Sequence, residues 1–161
     1  MTRQPLVARH AEELLGSAVV ATAPVNGGDV CVATKLRLSD GTTALMKTLS
    51  HAPERFFETE AAGLGWLAES GGVHVPEVLA VDAECLILRW VESGRNSVEA
   101  AASFGRALAT THAAGAPAYG AEADGFISKL PLPNAPCDSW TEFYAVRRVL
   151  PYLKVARDRG R

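Results

Sequence analysis

"ALMKTLSHAPERFFETE", residues 44–60, puts a lysine and a glutamate where a protein interior would take leucine. Lys47 closes a short apolar run of strand character. Residues 53–69 read as a helix, with Pro53 near its first turn and Gly71-Gly72 as its stop. At 100° per residue, Phe56, Glu60, Gly63, Leu64 and Leu67 share one face of that helix. Glu54, Glu58 and Glu69 fall off it and are expected in solvent. Along the strand, Leu45 and Lys47 point the same way by the two-residue period. If Leu45 faces the helix, so does Lys47. A lone buried charge is costly, so the pattern predicts that Lys47 and Glu60 meet. The competing reading has Lys47 snorkelling at a strand end and Glu60 half exposed at a helix edge. The surrounding elements favour the pair.

Upstream, residues 5–15 read as an amphipathic helix stopped by Gly16. "SAVVATAPV" is a β-branched strand, and Asn26-Gly27-Gly28-Asp29 a turn. Val30, Val32, Leu36 and Leu38 are expected on one face of the next strand, with Lys35 and Arg37 on the other. Asp40-Gly41 supplies a second hairpin turn into the Lys47 strand. Downstream of the helix, "PEVLAV" and "CLILRWV" read as two more strands, joined near Asp82-Ala83. Hairpin-linked strands with a packed helix argue for an α+β lobe built on a five-stranded antiparallel sheet.

The character changes at "VESGRNS", a polar connector. The lobe boundary is placed there, giving 1–92 and 93–161. Residues 97–114 form an Ala-rich helix ending at Gly115. Residues 115–138 read as a long loop with four prolines. Ser139-Trp140-Thr141-Glu142 is a capping box for a last helix, which Pro151 should kink or restart.

Composition restricts the function classes. In 161 residues, 48% are hydrophobic, 21% are charged and the formal net charge is −2. This is globular composition, without the basic clustering of a nucleic-acid binder. The opening residues lack the apolar run of a signal peptide, and no stretch is long enough to span a bilayer. Cys31, Cys85 and Cys137 form neither a disulfide framework nor a metal spacing. A cytoplasmic location is expected.

A glycine turn, a strand lysine and a helix glutamate are what a nucleotide phosphate site needs. Backbone N–H groups cover the phosphates, the lysine neutralises them and the glutamate holds the lysine. The glycine pair alone is weak, being equally a plain hairpin turn. The whole order is more specific. It resembles the N-terminal lobe of the protein-kinase-like superfamily, and its wording resembles the fructosamine kinase (ketosamine-3-kinase) family. The stretches that carry the resemblance include "GGDVCVATKLRLSDGTTALMK", "RFFETEAAGLGWLAES", "GRALATTHAAG" and "GFISKLPLPN…DSWTEFYAVRRVLPYL". The last is the most diagnostic.

The resemblance implies MgATP-dependent phosphorylation of a sugar hydroxyl on a ketoamine. It implies that Gly27 and Gly28 belong to the nucleotide-covering loop. Lys47 would contact the α/β-phosphates and Glu60 would anchor it. Backbone groups of Arg89 and Val91, in the hinge "LILRWVE", would meet the adenine edge. Arg89 stands where the family often has an acidic residue, a change that backbone contacts survive. Cys31 replaces a common Asn beside the loop, and a packed, quiet thiol is the plainer reading.

The family's second lobe carries a His-Gly-Asp catalytic loop and a magnesium-binding Asp, and this sequence has neither. The 93–161 segment therefore reads as the first helices of an incomplete helical lobe, and the chain alone is expected to be inactive. Asp124-Gly125-Phe126 is not the magnesium motif, and His10, His51, His74 and His112 read as surface or helix-end residues. Unpartnered helices of a partial lobe are expected to promote self-association. Two alternatives stay open: a non-catalytic nucleotide- or partner-binding module, and an aminoglycoside- or choline-type phosphotransferase.

Overall fold

A computed structural model of the chain describes residues 6–160. Pro5, the expected start of the first helix, lies outside the described residues. The chain divides into two compact units, one ending at Ala114 and the other beginning at Gly115.

The first unit is built on one sheet in the order β1-β2-β3-β5-β4. Its strands are β1 (Val19–Val25), β2 (Val32–Leu38), β3 (Thr43–Thr48), β4 (Val78–Val81) and β5 (Cys85–Arg89), and neighbouring pairs are antiparallel. Alternation gives the sheet two apolar faces. On one, Leu36, Ala44, Met46, Cys85 and Ile87 are fully buried beneath helix α1 (Leu6–Leu15), whose Ala11 joins the same cluster. Gly16 ends α1 at φ 64, a conformation that glycine adopts without strain. His10 Nε2 lies 2.7 Å from Asp82 Oδ2, and the other Asp82 oxygen accepts the N–H groups of Glu84 and Cys85. This latch fixes α1 to the β4–β5 turn. It also corrects the expectation that His10 is an ordinary surface residue.

Helix α2 (Phe56–Glu69) serves the other face. It starts three residues later than Pro53 suggested, because Arg55 adopts φ 61 and turns the chain sharply into the helix. The buried line is also rotated. Phe57 is fully buried and Leu64 half-buried, whereas Gly63 and Leu67, expected inward, are exposed. Glu58 is not simply solvated, since its Oε2 is buried without a hydrogen-bond partner among the described residues. In β2, Val30 falls outside the strand and Val32 is 66% exposed, so the apolar face begins at Leu36.

Helix α3 (Val98–Ala113) is capped by Ser97, whose Oγ accepts the Ala100 N–H at 3.0 Å, and it is followed by Gly115 at φ 71. It belongs to the first unit. The Thr111 hydroxyl accepts the Val73 N–H at 2.9 Å, and Gly72 lies so close that a Cβ there would sit 2.2 Å from Thr111 Oγ1.

In the second unit, the expected loop contains a short hairpin of β6 (Gly125–Ile127) and β7 (Leu130–Leu132). Ser139 caps α4 (Trp140–Phe143) through the Glu142 N–H. The helix then widens into a π-helical stretch, Tyr144–Val149, before α5 (Leu150–Asp158). Pro151 is the physical reason. It cannot donate to the Arg147 carbonyl, and Arg148 Nη1 donates to that carbonyl instead at 3.2 Å. The same guanidinium donates at 2.6 Å to Pro133 O and to Asn134 Oδ1. Proline-rich carbonyls without ladder partners are thus satisfied by the Arg-Arg pair that follows them.

Candidate functional site

Ala44 and Met46 of β3 point to the α1 face, so Leu45 and Lys47 point to the α2 face. The ladder places Lys47 between Ala33 of β2 and Leu86 of β5, and Leu86 is fully buried. On α2, Phe56 and Phe57 form an edge-to-face pair with centroids 5.2 Å apart. Glu60 follows one turn later. Lys47 Nζ donates to both Glu60 oxygens, at 2.5 and 2.7 Å. The side chains are 24% and 34% exposed. Strand parity and helix period together predict this contact, and it forms.

Register also ties the pair to the glycine turn. Val32 pairs with Thr48 and Ala33 with Lys47, so Lys47 lies opposite the start of β2, the strand that follows the Gly27-Gly28 turn. These glycines take φ 123 and φ 87, values that a side chain would strain. Cys31, which follows the turn, is half-buried rather than packed away.

At the other end of the face, β5 runs out at Arg89 into residues 91–97, which have no regular structure. The Arg89 N–H donates to Glu77 O at 2.8 Å, and its side chain pairs with the Glu77 carboxylate. The Trp90 N–H donates to Thr43 O at 3.0 Å. Val91 is 57% exposed.

Two residues here escaped the reading of the sequence. Lys35 Nζ lies 4.0 Å from the centroid of the Trp90 ring and 3.5 Å from Glu92 Oε1. Lys35 reads as a solvent-side residue of β2. Carrying the register through the Asp40-Gly41 turn would have set it opposite Leu45, on the Lys47 face.

Other candidates are placed elsewhere. Asp124 accepts the Asn134 N–H at 2.8 Å and is part of the second unit's hairpin. His51, His74 and His112 are exposed. A cleft of about 560 Å³ is lined by Ala61, Leu64, Ala68 and residues 71–78, and neither Lys47 nor the glycine turn lines it. Cys85 completes a cluster with His10 and Asp82, but both oxygens of Asp82 are already bonded to protein groups. Burial pushes the Cys85 thiol up to about 12, and the neighbouring Asp82 carboxylate adds to the shift. The cluster therefore reads as a structural latch.

Chemically, the Lys47 face offers a cation held in place by a carboxylate, which suits a polyphosphate. Both oxygens of Glu60 accept from Lys47, so its carboxylate is engaged in holding the ammonium.

Comparisons with known proteins bear on the family of the chain. The family model for fructosamine kinase matches residues 3–161. A "Probable ketoamine kinase" of Thermus thermophilus is 38% identical over 136 residues, covering 84% of this chain and 48% of the relative. The "Protein-ribulosamine 3-kinase, chloroplastic" of Arabidopsis thaliana is 31% identical over 141 residues, covering 83% and 43%. The chain thus spans about half the length of the curated relatives it matches. A solved structure from Thermobifida fusca, described as a "putative fructosamine-3-kinase", superposes with a TM-score of 0.90 at 40% identity, over 98% of this chain and 56% of that one. Its agreement extends to the fold, a kinase-like α+β arrangement on a five-stranded antiparallel sheet. On these grounds the chain belongs to the fructosamine kinase family.

Proposed function

We propose that this chain is the nucleotide-binding part of an ATP-dependent kinase that phosphorylates a sugar hydroxyl of ketoamine adducts. The observation that carries the proposal is the bidentate Lys47–Glu60 contact, opposite the start of the strand that follows the glycine turn. Residues 1–92 would form the nucleotide lobe and 93–161 the start of the substrate lobe. Lys47 neutralises charge on the α/β-phosphates, and Glu60 keeps its ammonium from swinging to solvent. Backbone N–H groups at Gly27 and Gly28 cover the phosphates. The Arg89 N–H is already bonded to Glu77, so the Arg89 carbonyl and the Val91 N–H would be the groups that meet adenine.

Magnesium would accompany ATP in the reaction, and none of the residues around Lys47 is assigned to it. No His-Gly-Asp occurs in the sequence, so the isolated chain should bind without turning over. Turnover of ribulosamine or fructosamine substrates above background would refute that part. No helix among the described residues is long and apolar enough to cross a membrane. Three scattered cysteines, in a pattern that fits no disulfide framework, and a net charge of −2 support a cytoplasmic protein that does not bind nucleic acid. Exposed Trp66, Val98 and Phe104 support self-association of the isolated chain, which light scattering would test.

Calorimetric titration of MgATP into the chain and into Lys47→Ala tests the reading. Saturable binding that the substitution abolishes supports it. Equal binding by both would assign the nucleotide, if any, to another place. That outcome would favour a partner-binding module.

A further inference from the structure

Lys35 has no part in the phosphate site, yet it spans the sheet. Strand β3 lies between β2 and β5, so Lys35 must cross Leu45 to reach the residue that follows β5. That is two strand spacings, roughly 9.6 Å. A long side chain from one side and a large ring from the other close the distance. The ammonium lies 4.0 Å from the Trp90 ring centroid and pairs with Glu92 at 3.5 Å. The parity of β5 puts Trp90 on the same face as Leu86 and Leu88, the face of Lys47. The Trp90 Nε1 is buried with no hydrogen-bond partner among the described residues. No polar bond of its own therefore holds the ring, and Lys35 on its face does.

We propose that Lys35 is a positioning residue for the nucleotide. It straps the strand leaving the glycine turn to the hinge at Trp90 and Glu92. The strap sets the gap between turn and hinge in which adenine and ribose would lie. It acts through the hinge rather than on the phosphates. This inference rests on the nucleotide reading of the Lys47 site.

The test separates the two. Adenosine and ATP are titrated into the full chain and into Lys35→Met, Lys35→Arg and Lys47→Ala. Binding is read from Trp90 emission, with Trp66 and Trp140 replaced by Phe so that one of the three tryptophans remains. Loss of a partly exposed cation–π contact and ion pair should weaken adenosine and ATP alike, by about three- to ten-fold. Lys35→Arg, which can stack and pair, should restore both to within about two-fold. Lys47→Ala should weaken ATP and spare adenosine. Unchanged binding in Lys35→Met overturns the strap. So does a loss confined to ATP, which would make Lys35 a phosphate cation. If the unsubstituted chain binds neither ligand, the nucleotide reading fails and the strap falls with it. Should Lys35→Met not fold, Glu92→Lys replaces it. Glu92 is 78% exposed, and reversing its charge repels Lys35 at little cost to the core.

Discussion

Removing Glu60 should weaken nucleotide binding only while Lys47 is present. The pair is bidentate at 2.5 and 2.7 Å, with side chains 24% and 34% exposed. It is too solvated to cost the 3–5 kcal/mol of a broken buried ion pair, and too well aligned to be worth as little as a loose surface pair. A coupling of about 1–2 kcal/mol is the scale that partial burial suggests. A charge-assisted contact from Lys47 to a phosphate is worth about 1.5–3 kcal/mol. Lys47→Ala should therefore raise the Kd for MgATP by roughly 10- to 150-fold. Glu60→Ala leaves the ammonium in place but mobile, and should cost about five- to thirty-fold, the size of that coupling. The double substitution should bind no worse than Lys47→Ala alone. The assay is isothermal titration of the four chains, with urea unfolding to check that each is folded. Losses that simply add, to within about 0.5 kcal/mol, would mean that the residues act independently. The argument that Glu60 works by holding Lys47 would then be wrong.

Three further outcomes follow from the packing and the titrating groups. Gly72→Ala should destabilise the first unit by about 1–3 kcal/mol, because its Cβ would meet Thr111 and Ala107 at 2.2–2.6 Å. Gly65→Ala meets open space and should be neutral or stabilising by up to about 1 kcal/mol; thermal melts compare the two. The Cys85 thiol, pushed by burial up to about 12, should resist iodoacetamide at pH 8 while half-buried Cys31 reacts, as peptide mass spectrometry would show. Burial raises the Asp82 carboxyl, but the Glu84 N–H, His10 and the Cys85 N–H outweigh it and hold the group below its ordinary value. Its stabilisation is then full above the unfolded carboxylate value of about 3.9 and is lost as pH falls through the lower folded value. Asp82→Asn should flatten the acid limb of stability against pH, and an unchanged limb would remove the latch from the account.

Much of the site was legible because its determinants are local. The two-residue period aimed Lys47, the helical period aimed Glu60, and Gly27-Gly28 marked a turn that only flexible backbone makes. The errors lie where a neighbour overrides the period. Phe57 joins Phe56 in the interior while Gly63 and Leu67 stay exposed, since the left-handed Arg55 resets the start of the helix. The β6–β7 hairpin was hidden by prolines, which normally argue against strands. The Lys35–Trp90 contact was invisible because it depends on two ladders being in register at once.

The order of elements, the turn chemistry and the meeting of Lys47 with Glu60 were thus determined by the sequence itself. Each follows from steric periods and φ preferences that act over a few residues. Tertiary structure decided which face Lys35 serves, how α2 is rotated, and which orphaned carbonyls Arg148 satisfies. Those outcomes depend on strands and segments far apart in the chain. Their pairing is set by burying apolar faces together and leaving few polar groups unpaired, a condition on the whole fold that no short stretch contains.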